Sequence, residues 1–134
     1  MRAFTIALLW FSVAAIAAYW LTFFAFLADA GWDPGYVAFE RAFPPADAVL
    51  ACSAAATAEA LRRRRALAVP LGLFSAGQFC FLGLLDVTYA LQNGGYNLTP
   101  AMLAELAVNL SSLGMAGWLG VFLWRCRQSL GVTA

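Results

Sequence analysis

Histidine and lysine are both absent from this 134-residue chain, and charged residues make up only 11% of it. Without histidine, the chain has no histidine-ligated haem, no histidine zinc site and no histidine general base. A net charge of +1 leaves no basic face large enough to release many counterions, which argues against a nucleic-acid partner. The all-arginine basic set, together with abundant alanine, is typical of a bacterial protein from a GC-rich genome.

Cysteine is scarce and its positions are far apart. Cys52, Cys80 and Cys126 form no C-x-x-C pair, so the sequence does not predict a redox dithiol. We interpret Cys52 and Cys80 as small hydrophobic residues buried in the protein. We expect no metal ion and no cofactor.

Apolar residues dominate what remains, at 63% of the chain. A hydrocarbon core about 30 Å thick needs about 20 helical residues to cross it. Four stretches approach or exceed that length, although the second is short: Phe4–Ala28, Pro45–Leu61, Leu67–Leu91 and Pro100–Trp124. The sequence therefore predicts an all-α integral membrane protein, a single four-transmembrane-helix bundle over residues 1–134 with loops at about 29–44 and 92–99.

The N-terminal segment resembles a secretory signal peptide. Arg2 precedes an apolar run, and Ala28-Asp29-Ala30 imitates a cleavage site. The run is about 25 residues long, however, whereas the apolar region of a signal peptide spans about 7–15. We interpret the segment as the first transmembrane helix.

Arginine is distributed unequally between the two sides of the predicted membrane. Seven of the eight arginines lie on the side of the two termini, and only Arg41 lies opposite. Cytoplasmic loops carry the excess of basic residues. We therefore predict a multi-pass protein of the bacterial cytoplasmic (inner) membrane, with both termini cytoplasmic and the loops at 29–44 and 92–99 outside.

Local signals mark the helix ends. Gly94-Gly95 is typical of a C-terminal cap, and Thr99-Pro100 of a helix start. Pro44-Pro45 marks the start of the second helix in the same way. The aromatic residues of the loop at 29–43 favour the headgroup level, so we expect that loop to lie on the membrane.

Small residues set two of the helices apart. Residues 46–60 include eight alanines, which permit close approach of neighbouring helices, so we predict a central position for the second helix. Gly114, Gly117 and Gly120 give the fourth helix a small-residue seam. That seam suits packing either within the bundle or between protomers.

Acidic and amide residues suggest a site toward the outer side. Gln78, Asp86 and Tyr89 lie near one another on the third helix, and Glu105 and Asn109 share a stripe on the fourth. Carboxylates facing lipid are costly, so these residues should face inward. We predict a polar, ligand-binding pocket in the outer third of the bundle, lined by Asp47, Gln78, Asp86, Tyr89, Glu105 and Asn109.

Each acid also has a structural interpretation. Asp47 begins a helix, where the helix dipole stabilises a carboxylate, whereas Asp86 lies near the carbonyl end of its helix, where the dipole opposes negative charge. Asp86 and Glu105 are candidate catalytic residues, or hydrogen-bonding residues that hold helices together. Glu59 lies beside the arginines as a surface counter-charge.

The element Phe43-Pro44-Pro45-Ala46-Asp47 resembles the F-P-x-x-D-like element of small bacterial four-helix membrane proteins of the YvaD-like kind. In those proteins the element follows an aromatic-rich outer loop and begins the second helix. The resemblance covers the layout of most of the chain. It implies a topology and no particular activity.

Three classes of function remain. The first is a non-catalytic accessory subunit or a binder of a lipophilic small molecule, which the lack of a catalytic motif favours. The second is an intramembrane acid–base enzyme, of isomerase or cyclase type, acting on a lipid or isoprenoid through Asp86 and Glu105. The third is a component of a proton or cation pathway. Membrane lipid is the expected partner, together with a second copy of the chain or a larger membrane complex.

Overall fold

The computed structural model describes residues 1–27, 34–95 and 99–131, and these residues are helical or lie in turns, with no strand among them. The elements are α1 (Arg2–Thr22), which continues as a π-helical turn (Phe23–Leu27), α2 (Pro34–Glu40), α3 (Pro44–Arg62), α4 (Ala68–Gln92), α5 (Pro100–Cys126) and a 3₁₀ turn (Gln128–Leu130). The predicted all-α class is confirmed.

Each of the four predicted membrane helices corresponds to an observed one. Three segments are long and apolar enough to cross a membrane: Arg2–Phe26, Ala68–Gln92 and Met102–Cys126. The fourth, α3, has 19 residues and an axial length of about 28 Å, but it is not among the segments that meet the same criterion. Three candidate spans support a membrane helix bundle, and the fourth span stays a prediction.

Helix α2 lies where the sequence analysis placed an irregular loop. It has seven residues, and the turn after it brings the Phe39 and Phe43 rings to a T-shaped contact with centroids 4.8 Å apart. Pro34 suits the first helical turn, because its missing N–H needs no partner there. The loop residues Asp29, Trp32 and Asp33 lie outside the described residues.

The chain divides into two compact units, residues 1–68 and 69–134. In the first unit α1 packs against α3 in an antiparallel pair. Thr5 and Leu9 of α1 are fully buried, as are Ala54 and Ala58 of α3. The alanines have no side chain beyond Cβ, so they allow close approach along this pair.

Helix α3 is more buried than its partner. Seven of its 19 residues are buried, against two of the 21 in α1. The two buried hydroxyl residues are satisfied within the helix, because Ser53 donates to the Leu50 carbonyl at 3.0 Å and Thr57 to the Ser53 carbonyl at 2.8 Å. Buried hydroxyls therefore add no unpaired donors to α3.

In the second unit α4 and α5 pack together at a glycine. The Ser112 hydroxyl donates to the Phe79 carbonyl at 2.9 Å. A Cβ added at Gly83 would lie 3.1 Å from Leu113 Cδ2 and 3.3 Å from Ser112 Oγ, so a larger residue there would push the helices apart. This contact joins the middle of α4 to the middle of α5.

The predicted helix ends are confirmed. Gly94 and Gly95 have positive φ angles of 104° and 71°, and the Gly95 amide donates to the Ala90 carbonyl at 2.8 Å. The Thr99 hydroxyl caps α5 by accepting from the Met102 amide at 3.4 Å. Prolines occupy the first turns of both α3 and α5.

The interpretation of Cys52 and Cys80 as buried residues is wrong, since both are exposed. They lie on helix surfaces shared with large apolar side chains, such as Val49 on α3 and Leu84 on α4. Lipid tails are as apolar as a protein interior, so a small hydrophobic residue of a membrane helix needs no burial within the protein.

Candidate functional site

Five of the predicted site residues belong to the second unit, and they lie on α4 and α5. Asn109 is buried, with 2% of its surface exposed, and Gln78, Asp86, Tyr89 and Glu105 are half-buried. None of the five is without an interaction partner. The inward-facing polar pocket that the sequence suggests stays a prediction.

Two contacts show where α4 and α5 meet. Gly83 lies beside Ser112 and Leu113, and the Ser112 hydroxyl donates to the Phe79 carbonyl. Asp86 follows this contact on α4, and Glu105 and Asn109 precede it on α5.

Asp47, the sixth predicted residue, belongs to the first unit, where it connects α3 to α1. Its Oδ2 atom accepts a hydrogen bond of 2.8 Å from the Trp20 indole nitrogen, and the residue is half-buried. Asp47 thus does more than complement the dipole of its own helix.

A second carboxylate joins the same region of the first unit. The Tyr19 hydroxyl donates to Glu40 Oε2 at 2.8 Å, which connects α1 to α2. The Tyr19 and Trp20 rings meet edge to face with centroids 5.1 Å apart, and Trp20 meets Phe23 in the same way at 5.4 Å. Consecutive residues of α1 therefore each donate to a carboxylate on a different helix.

The sequence analysis missed Tyr19, Trp20 and Glu40. Their partners are 21 and 27 residues away, and no local spacing rule reports contacts at that distance. The available signal was chemical: Tyr19-Trp20 lies in the last turn of a helix that contains no carboxylate to bind. Buried or half-buried Tyr and Trp usually find a hydrogen-bond acceptor.

The chemistry of the two regions is that of polar contacts between apolar helices. Within residues 1–27, 34–95 and 99–131, no three acidic or cysteine residues are grouped to hold a metal ion. In the same residues, every buried side-chain nitrogen or oxygen has a hydrogen-bond partner. Satisfied polar contacts of this kind hold membrane helices together.

Comparisons with other proteins find no relative whose role could be transferred to this chain. No protein-family model, no curated protein and no solved structure matches the chain. The resemblance to YvaD-like proteins therefore stays an expectation, and the function is argued from the chain's own residues.

Proposed function

We propose that the chain is a non-catalytic subunit of a membrane assembly, built from four membrane-crossing helices with both termini on the cytoplasmic side of a bacterial inner membrane. Three candidate spans support the membrane location. Large apolar side chains such as Phe11, Leu21 and Phe81 are more than half exposed, which suits a surface solvated by lipid.

Helix α3 is proposed as the fourth span. Its central residues, 48–58, contain no charged side chain, and its acids lie near its two ends at Asp47 and Glu59. The Ser53 and Thr57 hydroxyls already donate to carbonyls of their own helix. Because these donors are satisfied, the residual cost of moving α3 into lipid is small.

The observation that carries the proposed role is an exposed stripe on α5. Its members recur at alternating steps of four and three residues, the heptad spacing of helix-packing surfaces. The α5 stripe consists of Leu103, Ala107, Leu110, Gly114, Gly117, Val121 and Trp124, and every member is exposed.

Two adjacent glycines lie within the α5 stripe. A Cβ added at Gly114 or Gly117 would meet no atom within 4 Å, so the described part of the chain makes no use of their small size. Helix α5 contacts α4 through Ser112 and Leu113 instead. Small residues on an open membrane helix favour close approach of another helix, and the seam that the sequence left undecided therefore favours contact between protomers.

We propose a second copy of this chain as the partner of the α5 stripe. A repeat of 3.5 residues keeps its seam facing a parallel partner when the two helices cross at about 20° in a left-handed pair. A two-fold axis beside Gly114 would place identical residues of two protomers opposite each other.

The alternatives remain predictions from the sequence. The acid–base enzyme relies on Asp86 and Glu105, and the lipophilic-ligand binder and the cation pathway rely on the wider polar set that includes them; both carboxylates have interaction partners. Polar contacts of that kind also serve as packing between membrane helices.

Oxidative crosslinking in membranes tests the proposed association. In a chain whose native cysteines are replaced, Gly114→Cys should form a disulfide-linked dimer, because the crossing point brings the two Cα atoms within the distance of about 4.4–6.8 Å that a disulfide needs. Adding Gly117→Leu should abolish the crosslink by separating the helices.

Leu84→Cys is the matched control, since Leu84 is exposed on α4 and lies outside the stripe. It should crosslink no more than random collision allows. Equal crosslinking of the two single-cysteine variants, or a crosslink that survives Gly117→Leu, would contradict association through the α5 stripe.

A further inference from the structure

The turn after α3 concentrates positive charge at one end of the first unit. Arg62, Arg63, Arg64 and Arg65 are consecutive and all exposed. Helix α1 begins at Arg2 and runs antiparallel to α3, so Arg2 lies at the same end. Five of the eight arginines therefore share this end of the unit.

Only part of this charge is neutralised. Arg62 donates to both carboxylate oxygens of Glu59 at 2.7 Å, and Arg63 donates to the same carboxylate. The predicted role of Glu59 as a surface counter-charge is thereby confirmed. In the described ranges, Arg64 and Arg65 have no ion pair with an acidic side chain.

The backbone at Arg64 is unusual. Its φ angle is +52°, and it is the only non-glycine residue with a positive φ among those described. The Arg65 amide donates to the Ala60 carbonyl at 2.9 Å and the Arg64 amide to the Leu61 carbonyl at 3.2 Å. These two bonds define a Schellman motif whose left-handed position normally carries glycine.

The end of α4 resembles the end of α3, but with glycine at the left-handed position. At the end of α4, Gly94 takes the corresponding position with φ +104°, and the Gly95 amide closes the equivalent bond to Ala90. Gly131, after the 3₁₀ turn, also has a positive φ. An arginine here makes the same backbone bonds as glycine would, at an added cost in backbone strain, and such strain is typically found at functional positions.

We propose that Arg64 and Arg65 bind the phosphate of an anionic phospholipid headgroup at this face of the membrane. A guanidinium group offers planar paired donors that match phosphate oxygens, and basic clusters directly beside membrane helices attract anionic lipids. Glu59 holds Arg62 and Arg63 beside the helix end, which leaves the next two arginines for the lipid. The proposal is independent of the α5 stripe.

The strain at Arg64 allows binding to be separated from folding. Arg64→Gly replaces a strained residue by the one that the motif favours, so the full chain in detergent should melt at the same or a higher temperature. Its affinity for phosphatidylglycerol, measured by native mass spectrometry of lipid adducts, should fall about fivefold, as expected for about 1 kcal/mol per arginine. Phosphatidylcholine binding should not change.

Two further variants complete the test. Arg41→Gln removes an exposed arginine from the turn between α2 and α3 and should leave phosphatidylglycerol affinity unchanged. Glu59→Gln frees Arg62 and Arg63 from their carboxylate and should increase that affinity severalfold.

Several outcomes would overturn the proposal. The first is an Arg64→Gly variant that binds phosphatidylglycerol as tightly as the unmodified chain does. The second is equal binding of phosphatidylglycerol and phosphatidylcholine by the unmodified chain. The third is a lowered melting temperature of Arg64→Gly, which would make Arg64 a structural residue. Displacement of the lipid by millimolar glycerol 1-phosphate alone would instead assign the site to a free phosphate ester, and that result also contradicts a lipid site.

Discussion

Ala54→Leu should destabilise the protein by about 1–3 kcal/mol, the usual cost of forcing extra methylene groups into a packed interior. Ala54 has no exposed surface and lies on the buried face of α3, the helix that packs against α1. The added side chain has no space unless the two helices separate. The free energy of unfolding, measured by titrating sodium dodecyl sulfate into detergent micelles, gives the effect directly.

The same helix supplies a matched control. Ala56 is exposed, so Ala56→Leu introduces the same side chain on the outer surface of α3 and should change stability little. Equal losses for the two variants would mean that leucine disturbs α3 wherever it is placed. Equal tolerance would show that α1 and α3 do not pack as closely as their buried alanines indicate.

Asp47→Ala should cost a comparable amount, about 1–3 kcal/mol, because it leaves the half-buried Trp20 indole N–H without its acceptor. Asp47→Asn retains an oxygen that accepts the same hydrogen bond and should lose less. A double-mutant cycle with Trp20→Phe isolates the interaction between the two side chains.

The expected coupling is favourable and of the same order as the loss in Asp47→Ala. Additive effects of Asp47→Ala and Trp20→Phe would mean that the 2.8 Å hydrogen bond contributes nothing to stability. A loss in Asp47→Asn as large as that in Asp47→Ala would assign the effect to the charge rather than to the acceptor. Either result would show that the hydrogen bond between Trp20 and Asp47 does not stabilise the packing of α3 against α1.

Local chemistry made most of the helical layout predictable. The long apolar stretches, Thr99-Pro100 at the start of α5 and Gly94-Gly95 after α4 act over a few residues, and they placed most helix ends within about two residues of the observed ones. Helix α2 was not predicted, because Pro34-Gly35 is compatible with both a turn and a first helical turn.

The candidate site was less predictable because it depends on tertiary packing. Sequence spacing placed Asp86 on α4 and Asn109 on α5, but only contacts such as the one at Gly83 show where the two helices meet. The Trp20–Asp47 bond joins residues 27 positions apart, and only tertiary packing brings them together. The exposure of Cys52 and Cys80 was misjudged by a rule drawn from soluble proteins, whose exterior is water.

The four-span arrangement is tested most directly by finding which side of the membrane each end of α3 reaches. Helix α3 is decisive because its composition alone does not support a membrane span. Ala42 and Ala66 are exposed beyond the two ends of α3, and Asn93 is exposed after α4. In a cysteine-free chain in intact cells, Ala42→Cys and Asn93→Cys should react with a membrane-impermeant maleimide. Ala66→Cys should react only after the membrane is opened. Labelling of Ala42→Cys and Ala66→Cys from the same side would show that α3 does not cross, and would contradict the four-span arrangement with both termini cytoplasmic.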